Sequence, residues 1–399
     1  MFRKKSQKEK VNKSSASKAK RRIHLGKGMD NMLGTFVLRY DASICILVAM
    51  LIVFGVVMVF SAGYYTTTNN FNDPYYYLRK QIGWVVIGIG AMVFCAKFDY
   101  HRYQKWYLWF AIISIVLLAL LFTPLGVNVN YATRWFQIGP IRVTPSELSK
   151  LAMIIFTSGF LAERPGRVRS AWILVLGFVM AVHLVLIIKQ PNLSTALVIC
   201  AIMIGIMFVA GMWSGFVIVA VVALLVGLIV ILLFFPNSHW FARLTTFVNP
   251  FKDAQGDGYQ VSQSLIALGN GGLTGRGLGN SVAKNLYLPE PQNDFILAII
   301  GEELGFIGIA LLMAVYLILI YRCFVITGKA KDKLGFFLAS GVTIMLSLQV
   351  LMNVAVVTAS MPATGVTLPF ISYGGTSLVV FMAAMGIMLN ISKESKRKL

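Results

Sequence analysis

Charged residues are few in this sequence, and acidic residues are the scarcest of them. Asp and Glu number 15 among 399 residues, against 36 Lys and Arg, and all charged residues together make up 13%. Apolar residues make up 57%, and the mean hydropathy is +0.75. A single core cannot hide so much apolar surface from water. The composition therefore excludes a water-soluble globular domain and predicts a chain that lipid covers.

Cysteine and histidine are also few, and they are dispersed along the chain. Each occurs four times, at Cys45, Cys95, Cys200, Cys323, His24, His101, His183 and His239. Their spacing matches no metal-binding motif, and the cysteines sit in or beside apolar runs. The sequence therefore gives no support for a bound metal at these residues, and the cysteines are predicted to be core thiols.

Apolar runs long enough to cross a bilayer, about 20 residues each, recur along nearly the whole chain. We predict an all-α polytopic membrane protein with about ten transmembrane helices, of which the second and fourth are short or interrupted. The first run follows a polar tail and is too long for a signal-peptide core, so it reads as an anchor. The predicted spans are 44–63, 82–96, 107–123, 146–162, 171–188, 193–210, 214–235, 294–321, 335–358 and 368–391.

The basic residues predict how the helices are oriented. Residues 1–39 contain 12 of the 36 Lys and Arg, and 14 more lie in segments assigned to the same side. The positive-inside rule then puts both termini in the cytoplasm, as an even number of spans requires. Residues 1–38 are expected to be a disordered basic tail that contacts anionic lipid, residues 39–392 a membrane domain, and residues 393–399 a second basic tail. Nucleic-acid binding is not expected, since no groove-reading module accompanies the charge.

A large extracellular loop is predicted at 236–293, between helices 7 and 8, and Asp294 follows it at the mouth of a helix. A carboxylate near hydrocarbon is costly and is by default a functional candidate. Asp294 is therefore a candidate general base at the outer surface. The alternative is a helix cap, but Asn293 is expected to fill that role in a helix that starts near it. The prolines at 289 and 291 suit the approach to such a helix.

Glu302 and Glu303 lie further along the same predicted helix. Glu302 is about 12 Å beyond Asp294 at 1.5 Å per residue, which exceeds the roughly 6.5–9.5 Å that separates the acids of inverting glycosidases. We infer a mechanism with a single carboxylate, which suits a leaving group that departs unprotonated, such as a diphosphate. Glu302 and Glu303 are expected to pair with cations or cap loops on the inner half.

Other polar residues are candidates for binding. Glu147 and Lys150 are spaced to face each other on a helix, and both a structural ion pair and a role in substrate binding stay open. Lys189, Arg243 and Lys284 are expected on the outer side, where they could neutralise a polyanionic headgroup.

Two glycine-containing segments also stand out. Residues 269–281 do not match a nucleotide-binding loop, because no G-x-x-x-x-G-K-S/T occurs. Their glycines are expected to permit tight turns and close backbone approach to a ligand. Residues 362–377 open the last span, and their small side chains favour close helix packing.

Six ordered motifs carry a resemblance to the SEDS family (shape, elongation, division and sporulation), whose members include FtsW, RodA and SpoVE. The resemblance covers roughly residues 40–392. The motifs are Arg134-Trp135 with Pro145-Ser146-Glu147 and Lys150; Gln190 to Ala196; Asn249-Pro250-Phe251 with Gly258-Tyr259-Gln260; Gly275 to Ser281 with Lys284; Leu288-Pro289-Glu290 with Asp294-Phe295 and Glu302-Glu303; and Leu368-Pro369 with Ile371 to Ser377.

The resemblance implies a peptidoglycan glycosyltransferase that polymerises lipid II at the outer face of the bacterial cytoplasmic membrane. It implies that Asp294 is the catalytic carboxylate. The partners implied are a class B penicillin-binding protein, which is a transpeptidase, and other division proteins. No cofactor is certain, and a divalent cation (Mg²⁺ or Mn²⁺) at the diphosphate is an option. The residues expected to bind substrate are Arg134, Lys189, Arg243, Lys284, Glu290 and Ser377.

Alternatives remain at two levels. The long basic tail favours the division and sporulation branch, with an elongation-type polymerase as the alternative. A lipid II flippase or a scaffold that only recruits the transpeptidase are the alternatives in function. The chain departs from the common family pattern at Asn192, Ser194 and Asn293.

Overall fold

A computed structural model provides the structure of the chain. It describes residues 40–129, 132–139, 141–213, 215, 218–219, 222, 247–253, 255–256 and 258–396. Ten α-helices lie within these ranges: α1 (Ala42–Phe71), α2 (Tyr76–Lys97), α3 (His101–Leu120), α4 (Pro145–Glu163), α5 (Ile173–Ile188), α6 (Leu193–Val209), α7 (Tyr259–Gly271), α8 (Ile296–Gly328), α9 (Lys333–Val357) and α10 (Gly375–Lys396).

Six of these helices are long and apolar enough to cross a membrane: α1, α2, α3, α8, α9 and α10. α4 has 19 residues, and α5 and α6 are apolar helices of 16 and 17 residues. Nine of the ten predicted spans fall on described helices, which confirms the all-α polytopic fold. The predicted span 214–235 lies almost wholly outside the described residues, as do most of the predicted loop residues up to 246.

Short polar signals set several of the helix ends. The Asp41 carboxylate accepts a hydrogen bond from the backbone N–H of Ser43 at 3.0 Å, which caps α1. α1 ends where Asn72 takes a left-handed backbone conformation. α9 begins after Asp332, whose carboxylate accepts from the N–H of Gly335 at 3.3 Å. These ends follow from local capping chemistry.

A small antiparallel sheet joins α3 to α4. Its strands are β1 (Gly126–Val129), β2 (Ala132–Ile138) and β3 (Ile141–Val143), in the order β1-β2-β3. Val127 pairs with Trp135, and Phe136 pairs with Val143. The backbone N–H of Thr144, just after β3, donates to the hydroxyl of Thr376 in α10 at 3.1 Å. The sheet is thereby fixed at the start of α10.

The connections between helices fall at two ends of the bundle. At one end, Arg322 of α8 bonds to Asp41 beside α1 at 2.6 Å, and Asn390 of α10 bonds to the carbonyl of Ala96 in α2 at 2.6 Å. We call this the terminal end, because α1 begins there and α10 ends there. The sheet, the loop 272–295 and the segment 358–374 lie at the other, the loop end. The first and last described helices thus begin and end at the same end of the bundle, and the placement of the two termini in the cytoplasm stays a prediction.

α8 is broken near its start by Gly305, where φ is +68°. At the break the loop pairs with the helix backbone: the N–H of Phe306 donates to Gly272 O at 2.9 Å, and the N–H of Gly277 donates to Glu303 O at 2.9 Å. A Cβ on Gly275 would lie 2.2 Å from Glu303 O, so only glycine fits there. Beyond Gly305 the helix is still about 34 Å long, enough to cross a hydrocarbon core of about 30 Å.

The prediction that the last span starts at residue 368 is wrong. α10 begins at Gly375, and residues 368–374 are not helical. Pro369 and Ser372 are nonetheless buried, and the hydroxyl of Tyr316 in α8 donates to the carbonyl of Pro369. The backbone N–H of Leu368 donates to the Ser372 hydroxyl at 2.8 Å. Non-helical backbone is tolerated here because protein groups satisfy it.

The break in α8 predicts an intolerance to side chains at Gly305. A Cβ there would lie 2.3 Å from Gly275 N, and the backbone is left-handed. We expect Gly305→Ala to lower the free energy of unfolding by about 1–3 kcal/mol from backbone strain, with the clash adding to it.

The measurement is thermal unfolding in detergent, with Gly90→Ala in α2 as the control. Nothing lies within 4 Å of a Cβ on Gly90, so that variant should be as stable as the wild type or slightly more stable. Equal unfolding midpoints for the two variants would contradict the pairing described for the break.

Candidate active site at the loop end of the bundle

Asp294 lies in the turn that leads into α8 and is partly buried. The helix begins at Ile296, and the residue that flanks it, Phe295, makes no side-chain cap. Asn293 does not cap the helix as expected: among the described residues no N–H donates to its Oδ1, while its NH₂ group donates to the carboxylate of Glu290 at 2.8 Å. The expected start near Asn293 and its capping role are therefore wrong.

The carboxylate of Asp294 and the guanidinium of Arg134 meet at Gly365. A Cβ built on Gly365 would lie 3.4 Å from Asp294 Oδ2 and 3.9 Å from Arg134 Nη1. Gly365 is exposed, and it has no side chain to fill this space. The two charged groups therefore flank one accessible point, which a ligand can approach. Two of the predicted site residues, far apart in sequence, are brought together here.

Carbonyl groups hold Arg134 in this position. Arg134 Nε donates to the carbonyl of Gln190 at 3.2 Å, and Nη2 donates to the carbonyl of Pro191. The side chain of Gln190 in turn donates to Leu118 O at 3.2 Å. Asn192 caps α6 by accepting from the N–H of Thr195 at 3.4 Å. The carbonyls of Gln190 and Pro191 thus hold the guanidinium of Arg134 in place. The next residue, Asn192, is neutral, and a neutral side chain is suited to capping α6.

Glu290 lies beside the turn that carries Asp294. Its carboxylate accepts from the amides of Gln292 at 2.9 Å and Asn293 at 2.8 Å. The residue as a whole is exposed, but the carboxyl group is surrounded by protein atoms. This burial raises the pKa of Glu290 above its ordinary value, and the positive charge of Arg142 opposes the rise. Glu290 therefore shapes the approach to Asp294.

The three cations expected to neutralise a headgroup differ in their surroundings. Lys189 is exposed at the end of α5, next to the Gln190 that holds Arg134. Arg243 lies outside the described residues. The side chain of Lys284 is 3% exposed, and its ammonium donates to Glu303 at 2.8 Å, to Gly279 O at 2.7 Å and to Ser61 at 3.1 Å. Lys284 is therefore placed for a structural role and not for contact with a headgroup, which corrects the expectation.

Glu302 and Glu303 contact the loop that precedes α8. Each pairs with a cation, as expected: Glu302 with Arg276 and Glu303 with Lys284. Glu302 accepts from the Ser281 hydroxyl at 2.5 Å and the Ala283 N–H at 3.0 Å, and it pairs with Arg276 at 3.4 Å. All of these partners precede α8 and lie at the loop end. The expected placement on the inner half is therefore wrong. Two glycines of 269–281, Gly271 and Gly275, lie against the backbone of α8 at Gly301 and Glu303, and close approach of this segment to a ligand stays a prediction.

The Glu147–Lys150 ion pair forms in α4 as the spacing predicts. Lys150 Nζ lies 2.7 Å from Glu147 and donates to Gln349 of α9 at 2.9 Å. The Lys150 side chain is 2% exposed and that of Glu147 is 15% exposed. The pair therefore joins α4 to α9, while Glu147 keeps some access to solvent.

Ser377 lies at the start of α10, where it is buried. Its hydroxyl shares a hydrogen bond with that of Thr367 at 3.0 Å. This contact ties α10 to the segment that carries Gly365. Among the described residues, no group of three or more His, Cys, Asp or Glu is arranged to hold a metal ion.

Two residues at this site were not singled out from the sequence. Gly365 is one glycine in a small-residue segment, and its position between two charges depends on the fold. Asn353 of α9 is 1% exposed, and its amide donates to Asp294 O and to Val366 O, each at 2.8 Å. The sequence does place this polar amide within an apolar span. Because buried polar groups are usually hydrogen-bonded, that position could have suggested that Asn353 has specific partners.

The fold and this site define a class: a polytopic helical membrane protein in which a partly buried carboxylate and a partly buried guanidinium lie beside an exposed glycine at one end of the bundle. The family model FTSW_RODA_SPOVE, described as "Cell cycle protein", matches residues 41–397. The chain belongs to this family.

Known relatives agree in sequence and in structure. The chain is 38% identical to Stage V sporulation protein E of Bacillus subtilis, over 89% of this chain and 98% of that protein. It is 37% identical to the "Probable peptidoglycan glycosyltransferase FtsW" of Trichlorobacter lovleyi, over 90% and 94% of the two chains. A solved chain from a peptidoglycan synthase complex that coordinates polymerization and crosslinking matches with a TM-score of 0.70 at 26% identity, covering 90% of this chain and 99% of that one. These relatives support the division and sporulation branch of the family.

The buried Lys284–Glu303 pair gives a test that separates a structural role from contact with a headgroup. Lys284→Met leaves a buried carboxylate unpaired, and we expect it to lower the free energy of unfolding by about 3–5 kcal/mol. The double variant Lys284→Met/Glu303→Leu removes both charges and should recover most of that loss.

Chemical unfolding in detergent measures the effect. Arg79→Gln is the control, because Arg79 forms an exposed pair with Asp73 whose loss should change stability by about 1 kcal/mol or less. If Lys284→Met has wild-type stability and binds substrate more weakly, Lys284 contacts the headgroup and its role is not structural.

Proposed function

We propose that this protein is a peptidoglycan glycosyltransferase that polymerises lipid II at the outer face of the cytoplasmic membrane. The observation that carries the proposal is the carboxylate of Asp294 beside the guanidinium of Arg134 at the exposed Gly365. The names of the relatives called peptidoglycan glycosyltransferase FtsW support the same reaction class. The loop end of the bundle is then the outer side, and the terminal end faces the cytoplasm.

Asp294 acts as the general base in this proposal. Its carboxylate takes the proton from the 4-hydroxyl of the acceptor GlcNAc. The freed oxygen forms a bond to C1 of the donor MurNAc, and the bond from C1 to the diphosphate oxygen breaks with inversion. Undecaprenyl diphosphate leaves with the bonding electron pair. The proton on Asp294 is then lost to solvent, which reaches the site at Gly365.

A second catalytic acid is not required for this step. A diphosphate can leave without being protonated, so one carboxylate is enough. Glu302 accepts hydrogen bonds from Ser281 and Ala283 and is fully buried, which removes it from consideration as a proton donor. Arg134 contributes a fixed positive charge beside the base. Such a charge stabilises negative charge that develops nearby.

We assign substrate binding to several charged and polar side chains. Lys189 is exposed at the end of α5 and can pair with a diphosphate oxygen, and we assign the same role to Arg243. Glu290 and Ser377 offer polar contacts to the sugars. Mg²⁺ or Mn²⁺ at the diphosphate would supply further positive charge, and this remains a prediction. Contact between substrate and the Glu147–Lys150 pair is a second prediction, which the partial exposure of Glu147 permits.

The partner proposed for this polymerase is a class B penicillin-binding protein within the division machinery. A solved relative comes from a complex that couples polymerization to crosslinking, which supports a transpeptidase partner. The basic residues 1–38 and 393–399 are proposed to face the cytoplasm and anionic lipid.

A flippase and a scaffold are the alternative functions. A flippase needs charged groups at mid-membrane depth along a polar path. Asp294 and Arg134 instead lie at the loop end, and the Lys284–Glu303 pair at that end is fixed by buried bonds. This arrangement favours chemistry at the outer surface.

The first prediction from this proposal concerns the base. Asp294→Asn keeps the size of the side chain but removes the group that accepts the proton, and we expect glycan chain formation to fall by at least about 100-fold. The assay is lipid II polymerisation by the purified protein with its cognate class B partner. Equal chain formation by a folded Asp294→Asn protein would remove Asp294 from the chemistry. No chains from the wild type, in an assay validated with a known polymerase, would favour the flippase.

A second prediction concerns access to the base. Gly365→Val would place a side chain between Asp294 and Arg134, where the acceptor must approach, and we expect kcat/KM to fall by about 10- to 100-fold. Stability should be unchanged, because Gly365 is exposed and its φ is not left-handed. Gly177→Val is the control, since nothing lies within 4 Å of a Cβ on this α5 residue. Wild-type activity in Gly365→Val would show that the acceptor enters elsewhere.

A further inference from the structure

Asn353 of α9 joins the two segments that meet at the proposed reaction site. Its side-chain amide donates one hydrogen bond to the backbone carbonyl of Asp294 and one to that of Val366, both at 2.8 Å. Val366 directly follows Gly365, which faces the Asp294 carboxylate. A primary amide has two N–H donors, and both are used here. One NH₂ group thus connects the base to the opposite wall of the site.

The orientation of this amide is fixed by its surroundings. Asn353 is 1% exposed, and no group among the described residues donates to its Oδ1. A flipped amide would turn Oδ1 toward two carbonyl oxygens, which also only accept hydrogen bonds. Asn353 therefore serves as a donor to both segments, and no isosteric natural side chain can replace it in that role.

The two segments are also joined farther from the carboxylate, where the backbone N–H of Tyr373 donates to the carbonyl of Gln292 at 2.9 Å. Their other anchors differ. Asp294 is in the turn before α8, whose start is held to the loop by Glu302 and Glu303. Gly365 is in the segment 358–374, which is held by Tyr316 of α8 and by the Thr367–Ser377 bond. Small shifts of either segment would change the distance between the base and the point where the acceptor is deprotonated. Asn353 links them next to that point.

We propose that Asn353 is a positioning residue for the transfer reaction, and that its amide fixes the Asp294 backbone relative to the Gly365 wall. The inference rests on the proposed function. Asn353 does not contact the reacting atoms, and its effect is exerted through the placement of Asp294. Loss of the amide should slow the chemical step while leaving lipid II binding intact, because the exposed cations that bind the substrate are elsewhere.

Two substitutions test this role. Asn353→Asp is nearly isosteric, but its carboxylate faces the two carbonyl oxygens with no donor. Asn353→Leu replaces the amide by an apolar side chain of similar size. It leaves the two carbonyls without this donor, but it brings no charge next to them, so it carries the test if Asn353→Asp fails to fold. Ser347→Ala is the matched control on the same helix, since the Ser347 hydroxyl bonds only to Thr343 O within α9.

The measurement is kcat and KM for lipid II in the polymerisation assay with the class B partner, together with the thermal midpoint of each variant. We expect kcat to fall about 100-fold in Asn353→Leu, as a displacement of about 1 Å at a reacting group can cause. KM should stay within about twofold of the wild type, because the stabilisation that is lost acts only in the transition state. Ser347→Ala should match the wild type.

The wild type and Asp294→Asn are run alongside. Chains from the wild type and none from Asp294→Asn keep the proposed function intact, so that the Asn353 result can be read on its own. A folded Asn353→Leu with wild-type kcat would overturn the positioning role, and so would a raised KM with unchanged kcat. No chains from the wild type would refute the proposed function instead.

Discussion

The buried ion pair between Lys284 and Glu303 is the interaction on which the rest of the site depends. It holds the loop before Asp294 against the broken start of α8, and the Ser61 hydroxyl on Glu303 extends the contact to α1. Charges so fully removed from water are stable only while both partners are present. The ion pair therefore fixes the loop against the start of α8, and with it the turn in which Asp294 lies.

The second requirement is that the groups around Asp294 come from separate parts of the chain. Arg134 lies in strand β2, and its guanidinium donates to the carbonyls of Gln190 and Pro191. Gly365 comes from the segment between α9 and α10, and Asn353 joins that segment to Asp294. These hydrogen bonds hold each element in place. The Asp294 carboxylate, the proposed base, thus lies beside an exposed point with a positive charge nearby.

The membrane environment explains the irregular backbone near the site. Unsatisfied N–H and C=O groups are costly in lipid, so helices can be interrupted only where protein groups satisfy them. At Gly305 the loop 272–277 does so, through backbone bonds that glycine permits. At residues 368–374 Tyr316 and Ser372 do so. Both irregular segments lie at the loop end, where polar groups are needed for function.

The sequence by itself determined the class of fold and its strongest candidate residue. Apolar runs predicted nine helices that the structure describes, since hydrophobicity along a helix is a local property. A carboxylate at the mouth of such a run identified Asp294, and the i,i+3 spacing predicted the Glu147–Lys150 pair. The start of the last span was misplaced at 368, because its apolar residues are buried by tertiary packing and not by a helix.

Only the tertiary structure decided which charges meet. Lys284 and Lys189 look alike in the sequence as outer cations, yet one is buried against Glu303 and the other is exposed. Likewise, nothing local marks Gly365 as the residue between Asp294 and Arg134. Burial and pairing depend on the packing of helices that are distant in sequence, and it is this packing that sets the solvation and the neighbours of each charged group.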